Sequence, residues 1–452
     1  MKAITLPRFG VVSVNRALIA IVALAVLLRV GAALYLGDRV EPISGAYDQV
    51  SYDALAQRLL AGHGFSFPVP WYPFTPADRP TAHWSYLYTV YLAGVYALFG
   101  HHPLAARLIQ AVVSGLHCWF AYRIGRRLFG ETVGIVAAAL TAVYAYFIFF
   151  NAALMTQTFY ILALLFVLDL TLQIRNSAIR NPQSAIRHWL FLGLALGIGA
   201  LLRQTLLLFA PILLAWLWRA TRSTQYASRS TQYATRNTQH ATRFTFYVLR
   251  FACVLAVMGL LILPWTAYNY AAFGDFLLLN SNGGYWFWAS NHPSRGAYFD
   301  GNYAPPIPEE LHGLGEPALD RALYRRGVEF ILSDPVRFLR LSLNRINGYF
   351  WLLPSAQSSL VSNLGRVLSF TIFLPFMVYG LWLSRRHWRA CLPLYLYVAF
   401  DTVLHLVSWA APRYRLPGDA VMIIFAALAA VSLTGRLKVR FGFLAQRTVE
   451  QR

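Results

Sequence analysis

The chain has 452 residues, 58% hydrophobic and 15% aromatic but only 13% charged, more apolar surface than one soluble core needs. Lys and Arg number 39 against 18 Asp and Glu, a net charge of +21, yet the excess falls in short tracts between apolar runs. That placement reads as the positive-inside bias of a membrane protein and not as a nucleic-acid surface.

The first apolar run, 17–36, follows Lys2, Arg8 and Arg16. It is longer than the roughly 7–15 apolar residues of a cleaved signal peptide, so it is expected to stay as a first span. The loop after it, 37–103, is crowded with polar and aromatic groups: Asp38, Glu41, Tyr47, Asp48, Tyr52, Asp53, His63, Trp71, Asp78, Arg79 and His83. Asp48 and Tyr52 stand four apart, so a helix through 47–61 sets both on one face, with Gly62-His63-Gly64 as its stop signal. A carboxylate there can take the proton of an incoming hydroxyl. The plainer alternative is that Asp48 occupies a helix N-terminus, where the dipole favours it. Asp38 and Asp53 are weaker candidates. The apolar stretch 86–100 is short for a span and is expected to lie on, or dip into, the outer leaflet. His101 and His102 read as an interfacial pair.

Further expected spans are 104–122, 132–150, 153–174, 189–203, 205–218, 246–268, 366–384, 390–410 and 416–434, ten with the first. Runs of near 20 apolar residues match a hydrocarbon layer of about 30 Å, and in lipid they must be helical to satisfy their own backbone. The stretch 189–218 is too long for one helix and carries Arg203 near its middle, so two short spans meeting at Arg203 are expected. Between spans, 219–245 contains a repeat, RSTQYAS, RSTQYAT, RNTQHAT. It lacks an apolar seam, which argues against a coiled coil and for a solvated low-complexity loop. Binding to anionic headgroups is the functional alternative. The second long loop, 269–365, ends in amphipathic segments, with Arg337, Arg340 and Arg345 between apolar positions, as in interfacial helices. Counting ten spans leaves every basic tract on one side, including the tail 435–452. Both termini are then cytoplasmic and the two long loops outside. Cys118, Cys253 and Cys391 all lie in apolar segments, which gives neither a disulfide framework nor a zinc spacing.

Five pieces in order carry a resemblance. They are Asp48-x-x-x-Tyr52 running into GHGFS (48–66), AARLIQAVVSG with YRIGRRLFG (105–130), GLALGIGALLRQ (193–204), LPWTAYNYAAFG with SNGGYWFWASNHP (263–293) and PRYRLPGDAVMII (412–424). Together they resemble the GT-C membrane glycosyltransferases of the protein-mannosyltransferase-like and aminoarabinose-transferase-like superfamily (glycosyltransferase family 39 and the Rgt-like group). The resemblance covers nearly the whole of 1–434. It implies an all-α polytopic GT-C bundle that transfers sugar from a polyprenyl-phosphate donor to an extracytoplasmic lipid, glycan or protein acceptor. It makes Asp48 the essential carboxylate. Tyr52 would position the acceptor, and Arg79, His83, Arg203, Arg413 and Arg415 are the expected donor-binding groups near the outer face, with Arg107 a further candidate. Anionic leaving groups call for such donors. The chain departs from the family in three places: 81–88 reads TAHWSYLY where a Pro-Pro-x-Tyr-Pro-like stretch is common, Gln157 stands for a glutamate, and Tyr268 stands for an arginine. No Asp-x-Asp or His-rich set appears, so neither metal nor cofactor is expected.

The competing class is a lipid-linked saccharide transporter. It calls for mid-membrane charges, broken helices and internal repeats. Apart from Arg203, the ionisable residues within spans are Asp169, Asp401 and His405, and the last two, four apart, read as a buried polar pair.

Overall fold

The computed structural model describes residues 11–42, 46–71, 73–180, 186–227, 238–295, 305–352 and 360–450. Seventeen α-helices follow in chain order. The first seven are α1 (Val11–Leu36), α2 (Asp48–Leu60), α3 (Tyr86–Phe99), α4 (Pro103–Phe129), α5 (Glu131–Val143), α6 (Ala145–Ala152) and α7 (Gln157–Arg180). Then come α8 (Ile186–Leu202), α9 (Thr205–Ala227), α10 (Thr238–Phe273), α11 (Gly283–Asn291), α12 (Glu316–Ser333) and α13 (Pro335–Tyr349). The last four are α14 (Leu360–Arg366), α15 (Ile372–Ser384), α16 (Trp388–Val407) and α17 (Leu416–Glu450).

The ten expected spans all fall on helices. Six helical tracts are long and apolar enough to cross a membrane, and α5 with α6 forms a seventh, bent by 52°. The tract Asn363–Val407 holds two of the expected spans, and α8 and α9 are shorter apolar helices. The break between α8 and α9 falls at Arg203. α3 has 14 residues, about 21 Å of helix, too short to cross the hydrocarbon. α13 buries Leu341, Arg345 and Tyr349 and leaves Val336, Leu339, Leu343 and Ile346 exposed. That exposed apolar stripe at helical spacing suits a helix lying along a lipid interface. Residues 228–237 of the polar repeat lie outside the described residues, as do 181–185. The flanks of the repeat are helical where a loop was expected: α9 runs on to Ala227 and α10 starts at Thr238. Gln, Arg and Ser carry little helix penalty, so the spans extend beyond their apolar parts.

Two buried arginines explain how the bundle ends its helices. Arg29 of α1 donates to the carbonyls of Thr141 and Ala142 at 3.1 and 3.0 Å, where α5 stops and the chain bends into α6. Arg107 of α4 donates to the carbonyls of Gly37 and Arg39, just past the end of α1, and of Ala152, the last residue of α6. The last carbonyls of a helix have no partner within it, and a cation placed there supplies both hydrogen bonds and charge complementarity. Arg107 is therefore committed to the scaffold. At the other end of α4, Arg123 and Arg127 each reach buried Asp169 of α7 at 2.9 Å. The core is continuous through α3, α4, α7, α8, α9, α16 and α17, with Trp189, Leu196, Phe209, Tyr397 and Phe425 among its buried side chains. α15 and α17 touch closely at Gly380, where a Cβ would stand 1.8 Å from the Phe425 carbonyl oxygen.

Candidate functional site

α2 begins at Asp48 and ends before Gly62 and Gly64, both at positive φ (82° and 66°), as the stop signal requires. Its buried face carries Ser51, Tyr52, Leu55 and Ala56. Asp48 is the first helical residue, and its side chain stays 38% exposed. Oδ2 lies 3.0 Å from Nη1 of Arg413, which sits in a single 3-10 turn, Pro412–Arg415, ahead of α17. Arg413 also donates from Nη2 to the Tyr414 hydroxyl at 2.9 Å. Two segments more than 360 positions apart thus meet through a carboxylate and a guanidinium.

Arg203 joins this group from the α8–α9 break. Its Nε donates to Thr156 Oγ1 at 3.3 Å, and its Cζ stands 5.3 Å from the Tyr160 ring centre and 5.6 Å from that of Tyr414. Among the described residues no carboxylate forms an ion pair with Arg203. A half-buried cation held by two aromatic rings and one hydroxyl retains its capacity to meet an anion.

Tyr52 is buried one turn along from Asp48, and its hydroxyl accepts from the Ser85 amide at 3.3 Å. Burial, then the nearby Asp48, pushes its ionisation far above the ordinary range, so it is a neutral phenol. His83 is also buried, against the rings of Phe74, Trp84 and Trp286. Burial pulls it down to about 4 although Asp48 opposes this, so it is a neutral imidazole near pH 7. Its Nδ1 has no protein partner. His83 can therefore exchange one hydrogen bond with a ligand but brings no positive charge.

The backbone around His83 is clasped by the second long loop. The His83 carbonyl accepts from Asn282 Nδ2 at 2.9 Å, and the Asn280 amide bonds the carbonyls of Ala82 and Trp84. Glu316, buried at the start of α12, accepts from the Ala82 amide (2.7 Å), the Thr81 hydroxyl (3.2 Å) and the Ser281 hydroxyl. Asp320, one turn on, accepts from the Gly284 amide at 2.7 Å at the start of α11. α11 and α12 approach so closely that a Cβ on Gly284 would stand 1.9 Å from the Asp320 carbonyl oxygen. Burial pushes Asp320 up to about 7 and raises Glu316 above the usual carboxylate range.

The remaining expected residues lie apart. Arg415 is 3% exposed and pairs with Asp419, 1% exposed, at 3.0 Å; it also donates to the Tyr349 carbonyl. Arg79 is exposed beside Asp78, which pairs with Arg58 at 2.5 Å, and it makes none of the contacts that join Asp48, Arg413 and Tyr414. Asp53 is held by Tyr96, His101 and Gln57, and Asp38 accepts from the Leu104 amide at the start of α4. Gln157 is buried and lines a small cavity with His117 and Asn151. Sequence reasoning missed Glu316 and Asp320 and gave Tyr414 no part. The signal available for Tyr414 was its place between two arginines in PRYR. Among the described residues, no three His, Cys, Asp or Glu side chains gather as metal ligands.

Residues 84–235 match the family model for dolichyl-phosphate-mannose-protein mannosyltransferase. Among solved structures, the chain is similar to the oligosaccharyltransferase AglB from Archaeoglobus fulgidus, in complex with an inhibitory peptide and a dolichol-phosphate. That match has 14% identity and a TM-score of 0.55 and covers 94% of this chain and 51% of that one. It is also similar to ArnT from Cupriavidus metallidurans bound to undecaprenyl phosphate, at 14% identity and a TM-score of 0.52, covering 91% and 59%. The chain thus spans about half the length of the oligosaccharyltransferase. No curated protein matches it in sequence. The fold is the helical bundle that these two membrane proteins share.

Proposed function

We propose that the chain is a membrane glycosyltransferase that moves a sugar from a polyprenyl-phosphate donor to an extracytoplasmic hydroxyl acceptor. The observation that carries this reading is the cluster of Asp48, Arg413 and Arg203: a carboxylate beside one guanidinium, with a second guanidinium that makes no ion pair among the described residues. Asp48 takes the proton of the acceptor hydroxyl as its oxygen attacks the anomeric carbon. The bond from that carbon to the phosphate oxygen breaks, configuration inverts, and polyprenyl phosphate leaves carrying the electron pair. Arg413 and Arg203 meet the charge that develops on the phosphate. Tyr52 and neutral His83 orient the sugar and the acceptor through hydrogen bonds. Arg415 serves the fold, and Arg79, exposed and without a contact to the cluster, is given no direct part.

The two long loops carry Asp48 and the Glu316 clasp, so the site faces the side opposite the basic tracts. With ten spans both termini are cytoplasmic. The similar proteins, one holding dolichol-phosphate and one undecaprenyl phosphate, support a lipid-linked anionic ligand for this site. The test uses purified protein in liposomes with a panel of radiolabelled polyprenyl-phosphate hexoses and pentoses and an envelope extract as acceptor. Transfer consumes the donor and releases polyprenyl phosphate in the same leaflet. A transporter moves the intact lipid across without consuming it, and that result would reject the enzyme reading.

A further inference from the structure

Behind the cluster, Asp401 and His405 of α16 have no part in the chemistry above, yet they are buried and ordered by an unusual set of contacts. His405 Nδ1 lies 3.1 Å from the Trp409 carbonyl, which can only accept, so Nδ1 carries the proton. Nε2 then faces Asp401 Oδ1 at 3.8 Å. Asp401 is itself fixed by the hydroxyls of Tyr349 (2.8 Å) and Tyr397 (3.4 Å). Held at Nδ1 by that hydrogen bond, with Nε2 beyond hydrogen-bond reach of Asp401, the imidazole ring lies between two tyrosines. Tyr349 is stacked at 5.9 Å and 22°, and Tyr414 at 4.9 Å and 19°. Tyr414 is the ring that stands 4.9 Å from the Arg413 guanidinium and 5.6 Å from that of Arg203, and its hydroxyl accepts from Arg413.

We propose that His405, held by the Trp409 carbonyl and stacked on Tyr349, is a positioning residue for donor binding: it backs Tyr414, and Tyr414 sets both guanidiniums at the spacing that receives the donor's phosphate. This rests on the reading of Arg413 and Arg203 as phosphate-binding groups. The physical reason is that an arginine side chain is long and loses rotamer freedom when it binds. A ring held rigid from behind supplies a fixed cation–π surface and a fixed acceptor, which lowers that cost before the ligand arrives. The column Tyr349–His405–Tyr414 crosses from α13 through α16 to the turn before α17, so it also ties the second long loop to the site.

The experiment measures binding of undecaprenyl phosphate to the full chain in nanodiscs, separately from any transfer. His405→Ala is expected to weaken binding about tenfold, and His405→Phe, which keeps a stacked ring, less than threefold. In a background with both Arg203→Ala and Arg413→Ala, His405→Ala is expected to cost less than a further twofold, because the groups it positions are gone. A merely structural role would lower the melting temperature and leave the dissociation constant unchanged, or would weaken binding by the same factor in both backgrounds; either result overturns the inference. If His405→Ala does not fold, His405→Phe and Tyr414→Phe carry the test. Tyr414→Phe keeps the stack and loses the acceptor for Arg413, so unchanged binding in Tyr414→Phe together with a tenfold loss in His405→Phe would contradict the column. Failure of the unaltered protein to bind the lipid at all would count against the proposed function and not against the column alone.

Discussion

Arg413 and Arg415 stand two residues apart in one turn, each pairs with an aspartate at 3.0 Å, and the two pairs do opposite work. Arg415–Asp419 is sealed, at 3% and 1% exposure, and is tied to Tyr349 and Tyr144. Arg413–Asp48 is open, at 16% and 38% exposure, at a helix start, with Arg203, which makes no ion pair among the described residues, beside Tyr414. Chemistry needs groups that can change partners in the course of a reaction, and a buried pair cannot do so without leaving a charge bare. Exposure, not residue type, separates the pair proposed to work in transfer from the structural one.

The comparison breaks first at the carboxylates. Asp48→Asn is expected to lower transfer by about 10²–10⁴-fold, the usual contribution of a general base, while melting like the unaltered protein. Equal turnover in that variant would remove Asp48 from the mechanism. Arg415→Ala leaves Asp419 buried without its partner, a loss of about 3–5 kcal/mol, so the yield of monodisperse protein should collapse. Arg413→Ala removes the same chemistry from a partly exposed pair, worth about 0–1 kcal/mol, and should fold normally while donor binding weakens. Thermal melts of these two variants side by side decide whether exposure is the right criterion. Similar melting temperatures would show that it is not.

A smaller effect sharpens the view of the second loop as a clasp. Asp320 is raised from 3.8 to about 7 by burial, and Glu316 is raised as well. For a carboxyl whose folded value is raised, the stabilising contribution is complete below the unfolded value and is lost as pH climbs through the folded one. Docking of α12 on α11 should therefore loosen between about pH 4 and pH 7. Hydrogen exchange across Gly283–Asn291, corrected for intrinsic rate, should show more opening at pH 8 than at pH 5, and Asp320→Asn should abolish the difference. The smallest effect is expected from deleting 223–242, which should leave both melting and transfer unchanged. Activity lost from a normally inserted deletion protein would reassign that tract.

Much of the fold was legible because lipid imposes local rules. Apolar run length gave the spans, Gly62-His63-Gly64 gave the end of α2, and the cost of a mid-span charge gave the break at Arg203. The site was legible only in part, because its contacts join distant segments. In PRYR the four-residue spacing points Asp419 to Arg415, but nothing local sets Arg413 against Asp48. The roles of Arg29 and Arg107 depend on where α5 and α6 end, which no periodicity announces. Glu316 and Asp320 begin an ordinary amphipathic helix, and only the fold sets them against Ala82 and Gly284. His83 was expected among groups that stabilise the departing phosphate; burial makes it neutral, which leaves the charge to Arg413 and Arg203.

The most direct test is release of polyprenyl phosphate from a labelled polyprenyl-phosphate sugar in sealed liposomes, with the unaltered chain and Asp48→Asn compared at equal folded amounts. The account predicts release by the unaltered chain and a loss of at least a hundredfold in the variant, with bound lipid retained. Equal release by both, or transbilayer movement of intact donor without release, would contradict it.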